Sequence, residues 1–143
     1  MEYCKEIEAK AKNIAASAAT MHNCKVEYSY FEGIYDDLKI NYTLADALKE
    51  AYYEVGLTDV SDVIKLPAGS SDVGAVSKIT PTIHGYIKIA DACINGHSKE
   101  MADTTVSDSG RLAILNGGTA LAILGYRYLT DKDFQDKVKE EFN

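Results

Sequence analysis

Two short stretches of this chain alternate apolar and polar residues in the two-residue period of a half-buried strand, and they lie about fifty residues apart. In residues 25–31, Val26, Tyr28 and Tyr30 share one side, with Glu27 and Ser29 on the other. Within residues 78–89, Ile83, Ile87 and Ile89 oppose His84, Tyr86 and Lys88. Pro81 stands near the start of that run, where a missing ladder donor is tolerated. A lone pair of strands is marginal in water. The pattern therefore predicts an α/β fold whose sheet needs further strands that the sequence does not contain.

The rest reads as helix. Ile7, Ala11, Ile14, Ala18 and Met21 recur at helical spacing over residues 2–22, with Lys and Glu opposite. Thr43 and Asp46 resemble a capping box ahead of Leu44, Leu48, Ala51, Tyr52 and Val55, and Gly56 stops that helix. Residues 58–63 suit either a loop or a short helix. Ser98 can cap a short helix. A longer one follows over residues 108–129, with Leu112, Leu115, Thr119, Ala122, Ile123 and Tyr126 predicted inward. Its Gly117-Gly118 pair suggests close approach by a neighbour. Thr130 and Asp133 open a last amphipathic helix that buries Phe134, Val138 and Phe142.

Charge and cysteine usage narrow the function classes. A net charge of -7 over 143 residues argues against nucleic-acid binding, which needs clustered Lys and Arg. The longest apolar stretch, residues 112–129, is interrupted by Asn116, Gly117 and Gly118 and carries Arg127, so no membrane span is expected. No charged-then-apolar leader opens the sequence, which predicts a cytoplasmic protein. Cys4, Cys24 and Cys93 are an odd, widely spaced set that predicts reduced thiols. Cys93 and His97 lie four apart and could share a metal, although such a pair arises readily by chance.

The candidate site residues each have a plain structural reading. His97 suits an exposed turn before a helix, and Asp72 suits a helix start, where its carboxylate would accept backbone N–H bonds. Ser70 and Ser71 suit a turn. His84 lies opposite Ile83 and Ile87 on its strand. Asn41 and Tyr35 read as structural.

Three stretches resemble the C-terminal third of the M20 metallopeptidase and amidohydrolase family, in its aminobenzoyl-glutamate-utilization and peptidase M20-domain branch. They are NIAASAATMHNCKVEYSYFEGIYDDLKINYTLADAL, GSSDVGAVSKITPTIHGYIKI and GHSKEMADTTVSDSGRLAILNGGTALAILGYRYLTDKDF. The second is the specific one. It follows a pattern G-S-T-D-V-G-N-V-S-x-x-x-P-T-x-H closely, and order and spacing agree over nearly the whole chain.

The resemblance implies a fragment of an α/β/α metallo-hydrolase catalytic domain, preceded by a helix and strand from an inserted dimerisation domain. Residues 1–38 match the end of that inserted domain, and residues 39–143 the return into the catalytic domain. It implies that His97 is a ligand of a divalent metal site, zinc or manganese. It puts Gly69, Ser71 and Asp72 on a loop lining that site, with His84 beside it. The family's other ligands and its catalytic glutamate would lie upstream of Met1. One histidine cannot hold a working metal, since catalysis needs about three protein ligands plus an open position. The chain alone is therefore expected to be inactive. Its parent would cleave an amide bond in an N-acyl amino acid or small peptide, as a homodimer. The alternative is a non-catalytic α/β module that self-associates through the exposed strand at residues 25–31.

Overall fold

The computed structural model describes residues 2–33, 35–61 and 69–143, and within them every regular element is a helix. The helices are α1 (Glu2–Met21), α2 (Tyr42–Glu54), α3 (Val73–Val76), α4 (Lys99–Thr105), α5 (Asp108–Thr130) and α6 (Lys132–Phe142). The expected α/β class is thereby corrected: among the described residues there is no strand and no sheet. A strand exists only where a neighbour takes up its N–H and C=O groups. Here the two alternating segments lie on helices instead. Tyr28 donates its hydroxyl to the Lys12 carbonyl at 2.7 Å, and Lys12 Nζ donates to the Tyr30 oxygen at 2.9 Å. Tyr30 in turn bonds Glu8. The second segment crosses α2: a Cβ at Gly85 would stand 2.5 Å from Leu48 Cδ2 and 2.7 Å from the Tyr52 hydroxyl.

The core is small and made where α2, α5 and α6 meet. Leu44, Ala47, Leu48 and Ala51 of α2 pack on Ala120 and Leu124 of α5 and on Val138 of α6. Alanines at three of these positions let the helix axes approach closely. Ile83, Ile123, Tyr128 and Phe134 close the edges, Tyr128 and Phe134 meeting edge to face at 6.4 Å. Arg127 reaches Glu50 at 2.5 Å and Glu54 at 3.3 Å, a surface link from α5 to α2.

Helix boundaries follow local chemistry that sequence patterns locate only in part. The start of α2 is capped by Asn41, not by the expected box at Thr43: Asn41 Oδ1 accepts from Leu44 N at 3.0 Å. Its end is a Schellman turn. Gly56 takes φ 88°, its N–H bonds the Tyr53 carbonyl, and Leu57 N–H bonds the Tyr52 carbonyl. Ser98 caps α4 as expected, Ser107 caps α5, and Asp131 rather than Thr130 caps α6. Residues 58–61 are irregular chain, and the remainder of the ambiguous stretch, 62–63, lies outside the described residues.

Two predicted faces are corrected. In α5 the buried residues are Gly110, Ala113, Ala120 and Leu124, while Leu112, Leu115 and Tyr126, expected inward, are exposed. That helix is apolar on nearly every side, so periodicity carries little information about which side packs. Among the described residues nothing lies within 4 Å of a Cβ position at Gly118 or Gly125, although each costs about 1 kcal/mol against alanine in a helix interior. Gly117 meets Ile87 Cδ1 at 3.7 Å. In α1 no residue is buried and, among the described residues, no other helix packs on it, so the row from Ile7 to Met21 is exposed. Among the described residues no helix is long and apolar enough to cross a membrane.

Candidate functional site

The loop at residues 69–72 is held from behind, by the chain that leads into α2. Gly74, the buried residue of α3, lies so near residue 36 that a Cβ there would run into the Asp36 carbonyl. Ser77 is fully buried. Its hydroxyl donates to the Gly74 carbonyl at 2.6 Å and accepts from Lys39 N at 2.8 Å. Lys78 reaches Asp37 at 3.0 Å. The ammonium of Lys78 is the foremost cause holding the Asp37 carboxyl down at about 2.

Asp72 does not cap α3 with its side chain, contrary to the local reading of the sequence. Its backbone is already helical, with φ -69° and ψ -15°, and a cap needs an extended backbone to turn its carboxylate onto the following N–H groups. Ser71 Oγ takes that part weakly, accepting from Val73 N at 3.3 Å. The Asp72 carboxylate is thus left exposed at the loop's outer side, with Gly69 also exposed. Asp72 is close enough to Tyr35 to matter electrostatically. The Tyr35 phenol is pushed above its usual range, first by the charge of Glu32, then by partial loss of hydration, a hydrogen bond with Glu32 and the charge of Asp72.

His84 is half-buried where its segment crosses α2, and its ring stacks on Tyr86 with centroids 4.9 Å apart. The expected sharing of one side by His84 and Tyr86 therefore holds without a strand. His97 is exposed and adopts φ 57°, a left-handed backbone that costs a non-glycine residue on the order of 1 kcal/mol. It sits at a fixed place, between Gly96 and the Ser98 cap, whose Oγ accepts from Met101 N at 3.0 Å and donates to the Asn95 carbonyl at 2.7 Å.

Among the described residues no hydrogen bond or ring contact joins His97 to residues 69–72 or to His84. None of their His, Cys, Asp and Glu side chains forms a group of three able to hold a metal ion. Cys4, Cys24 and Cys93 are free and exposed. The described residues therefore do not by themselves fit a metal centre, where about three protein donors are required. What they form is a loop, a stacked histidine and a strained histidine, each positioned by its own neighbours.

Of the residues that do the positioning, sequence reasoning marked Asn41 as structural and passed over Glu141. Asn41 is buried, donates Nδ2 to the Val138 carbonyl at 2.9 Å, and donates its backbone N–H to the Thr82 carbonyl at 3.0 Å. Glu141 of α6 accepts from Tyr42 N at 2.6 Å and Thr43 N at 2.8 Å. Its partial burial would raise its pKa, but those N–H bonds and Lys39 outweigh burial and hold it below the usual range. Ser77 had a visible signal, a small polar residue within the GSSDVGAVS motif. Glu141 had none, because nothing local marks a partner so far along the chain.

No protein-family model matches the chain. Over 135 residues, 93% of this chain, it is 28% identical to the Xaa-Arg dipeptidase of Mus musculus. Over the same share it is 27% identical to the Xaa-Arg dipeptidase of Homo sapiens. The matched residues make up 31% of each relative, so the chain spans about a third of the length of the curated proteins it resembles.

Proposed function

We propose that this chain supplies part of a peptidase site that hydrolyses the amide bond of a dipeptide or N-acyl amino acid. The observation that carries this reading is the similarity to dipeptidases along 93% of the chain. The resemblance of GSSDVGAVSKITPTIH to the M20 pattern supports it independently of overall identity. In this reading residues 39–143 belong to the catalytic domain and residues 1–38 to an inserted domain. His97 is one donor to a divalent metal, zinc or manganese, whose other ligands lie outside the described residues. Gly69, Ser71, Asp72 and His84 face the substrate. Both relatives are named for dipeptides ending in arginine, so a dipeptide with a cationic C-terminal residue is the first substrate to try.

The chain's own contribution is orientation. A histidine locked in a left-handed turn between Gly96 and a capped helix start presents its ring from a fixed backbone. Asp72, with no capping bond, keeps its carboxylate available. A chimera tests the reading: the mouse dipeptidase with its matched segment replaced by this chain, assayed on Xaa-Arg dipeptides beside the 143-residue chain alone. The chimera should hydrolyse them, lose activity with His97→Ala, and bind less metal, while the chain alone shows neither turnover nor stoichiometric metal. Turnover by the chain alone, or a His97→Ala chimera as active as its parent, refutes the proposal.

A second reading, self-association through residues 25–31, is favoured by one observation. Among the described residues no backbone–backbone hydrogen bond engages residues 25–31, while Tyr28 and Tyr30 pin them to α1. A homodimer that dissociates on Val26→Pro, measured by sedimentation, supports it, and a monomer at all concentrations rejects it.

A further inference from the structure

We infer that Asn95 is a site of spontaneous deamidation, and that the isoaspartate formed there opens the turn that carries His97. The inference stands apart from the peptidase reading and concerns the chemistry of this chain alone. Two Asn-Gly pairs occur in the sequence, Asn95-Gly96 and Asn116-Gly117. An asparagine side chain is open to attack by the backbone nitrogen of the next residue, and glycine crowds that nitrogen least. The sequence marks both pairs alike, and the fold separates them.

Asn116-Gly117 lies inside α5. Both residues are half-buried, the Gly117 N–H belongs to the helix ladder, and Ile87 Cδ1 stands 3.7 Å from the Gly117 Cβ position. Ring closure there requires the helix to open first. Asn95-Gly96 lies in the turn ahead of α4, and both residues are exposed. Among the described residues no hydrogen bond engages the Gly96 N–H or the Asn95 side chain, and nothing lies within 4 Å of a Cβ position at Gly96. The nitrogen and the side-chain amide are free to rotate into contact.

The Gly96 nitrogen attacks Asn95 Cγ, and the N–Cγ bond forms as the Cγ–Nδ2 bond breaks. The proton lost from the Gly96 nitrogen leaves with Nδ2 as ammonia. Water then opens the resulting succinimide. Addition at Cγ breaks the new bond and leaves aspartate; addition at the backbone carbonyl carbon breaks the original peptide bond and leaves isoaspartate. Nothing is oxidised or reduced. Either product places a new carboxylate two residues before His97. Isoaspartate also adds a methylene to the main chain and turns the old Asn95 carbonyl into a branching carboxylate. That carbonyl accepts from Ser98 Oγ at 2.7 Å, and the same Oγ accepts from Met101 N at 3.0 Å. His97, at φ 57°, is held within this closure. With the acceptor taken out of the main chain and the path lengthened, the turn no longer closes in the same way, and the cap on α4 loosens with it.

The test ages the 143-residue chain in warm, mildly alkaline buffer, native and in guanidinium chloride, and maps it by trypsin and mass spectrometry. Cleavage after Lys88 and Lys99, and after Arg111 and Arg127, puts the two pairs in separate peptides, 89–99 and 112–127. In the native chain Asn95 should convert at least about tenfold faster than Asn116, and in guanidinium the two should convert at similar rates. Methyl transfer by an isoaspartyl methyltransferase should label the 89–99 peptide. Gly96→Ala has open space for its methyl group, so it should keep the helical spectrum and slow Asn95 by about tenfold. In hydrogen exchange the Met101 amide of the aged, isoaspartate-containing chain should exchange at least about tenfold faster than in fresh protein. Asn116 converting as fast as Asn95 in the native chain, a gap between them that persists in guanidinium, or Gly96→Ala aging like the parent would overturn the site. Isoaspartate at residue 95 with Met101 exchange unchanged would overturn the opening of the turn.

Discussion

Replacing Asn41 by alanine removes two separate bonds, and the structure lets each be weighed. The first is the cap on α2, Oδ1 accepting from Leu44 N at 3.0 Å, and loss of such a cap costs about 1 kcal/mol. The second is Nδ2 to the Val138 carbonyl at 2.9 Å. That carbonyl lies one turn before the end of α6, where the Phe142 N–H still serves it through the helix ladder. Losing the amide therefore removes a second bond and does not orphan the oxygen, so the lower figure of about 1 kcal/mol applies. Together the substitution should cost about 2 kcal/mol, a factor of about thirty in the folded-to-unfolded ratio. Urea denaturation followed by circular dichroism at 222 nm would read it as a lower midpoint at unchanged slope. Asn41→Asp separates the two parts. It keeps the cap but turns a donor into a buried carboxylate facing a carbonyl, and should cost more than alanine near neutral pH. Below about pH 4 the protonated acid can donate again, and part of that loss should return. A loss under about 0.5 kcal/mol for Asn41→Ala, the range of ordinary surface changes, would refute the account, as would an aspartate variant as stable as the parent.

Other substitutions probe the same frame. Glu141→Gln weakens the hold on the α2 N-terminus by less than about 1 kcal/mol, since the pair is largely solvated. Its folded-state pKa lies below the unfolded one, so the parent's advantage is present above the ordinary glutamate range and vanishes as pH falls through the folded value; denaturation at a series of pH values reads this directly. Gly74→Ala forces a methyl group against the Asp36 carbonyl and should cost about 1–3 kcal/mol by the same urea assay, because backbone must move. His97→Gly relieves a left-handed residue while adding unfolded-state entropy, leaving stability within about 1 kcal/mol of the parent. In the dipeptidase chimera the same change should abolish hydrolysis, so a variant that unfolds but keeps activity contradicts both statements.

What could be read in the sequence followed how local the determining contact is. The five long or capped helices were legible, because their apolar period and their Gly56 and Ser98 signals are written within a turn or two of chain. Strand structure was not, since alternation at Val26, Tyr28 and Tyr30 records only that one side is apolar; a helix surface satisfied it as well as a sheet would. The packed side of α5 was misread for the opposite reason, an excess of apolar residues around the whole helix. At α2 the cap fell on Asn41 and not Thr43, because the distant Val138 carbonyl rewards the asparagine amide, a partner no local pattern contains. Of the candidate site, the GSSDVGAVS loop and the turn at His97 were visible as motifs. Their supports, Ser77 on Lys39 and Gly74 on Asp36, were settled only by the fold.

That last pair of contacts has a mechanical meaning. Between Gly74 and the Asp36 carbonyl there is no side chain to act as a spring, and Ser77 locks the next turn to Lys39 N. Residues 36–39 and α3 are thus joined at two points, one a close approach of backbone to backbone and the other a buried serine hydroxyl. The placement of the loop before α3 is in this sense tied to the chain ahead of α2, and substitutions on the exposed surface around them would leave both joints intact.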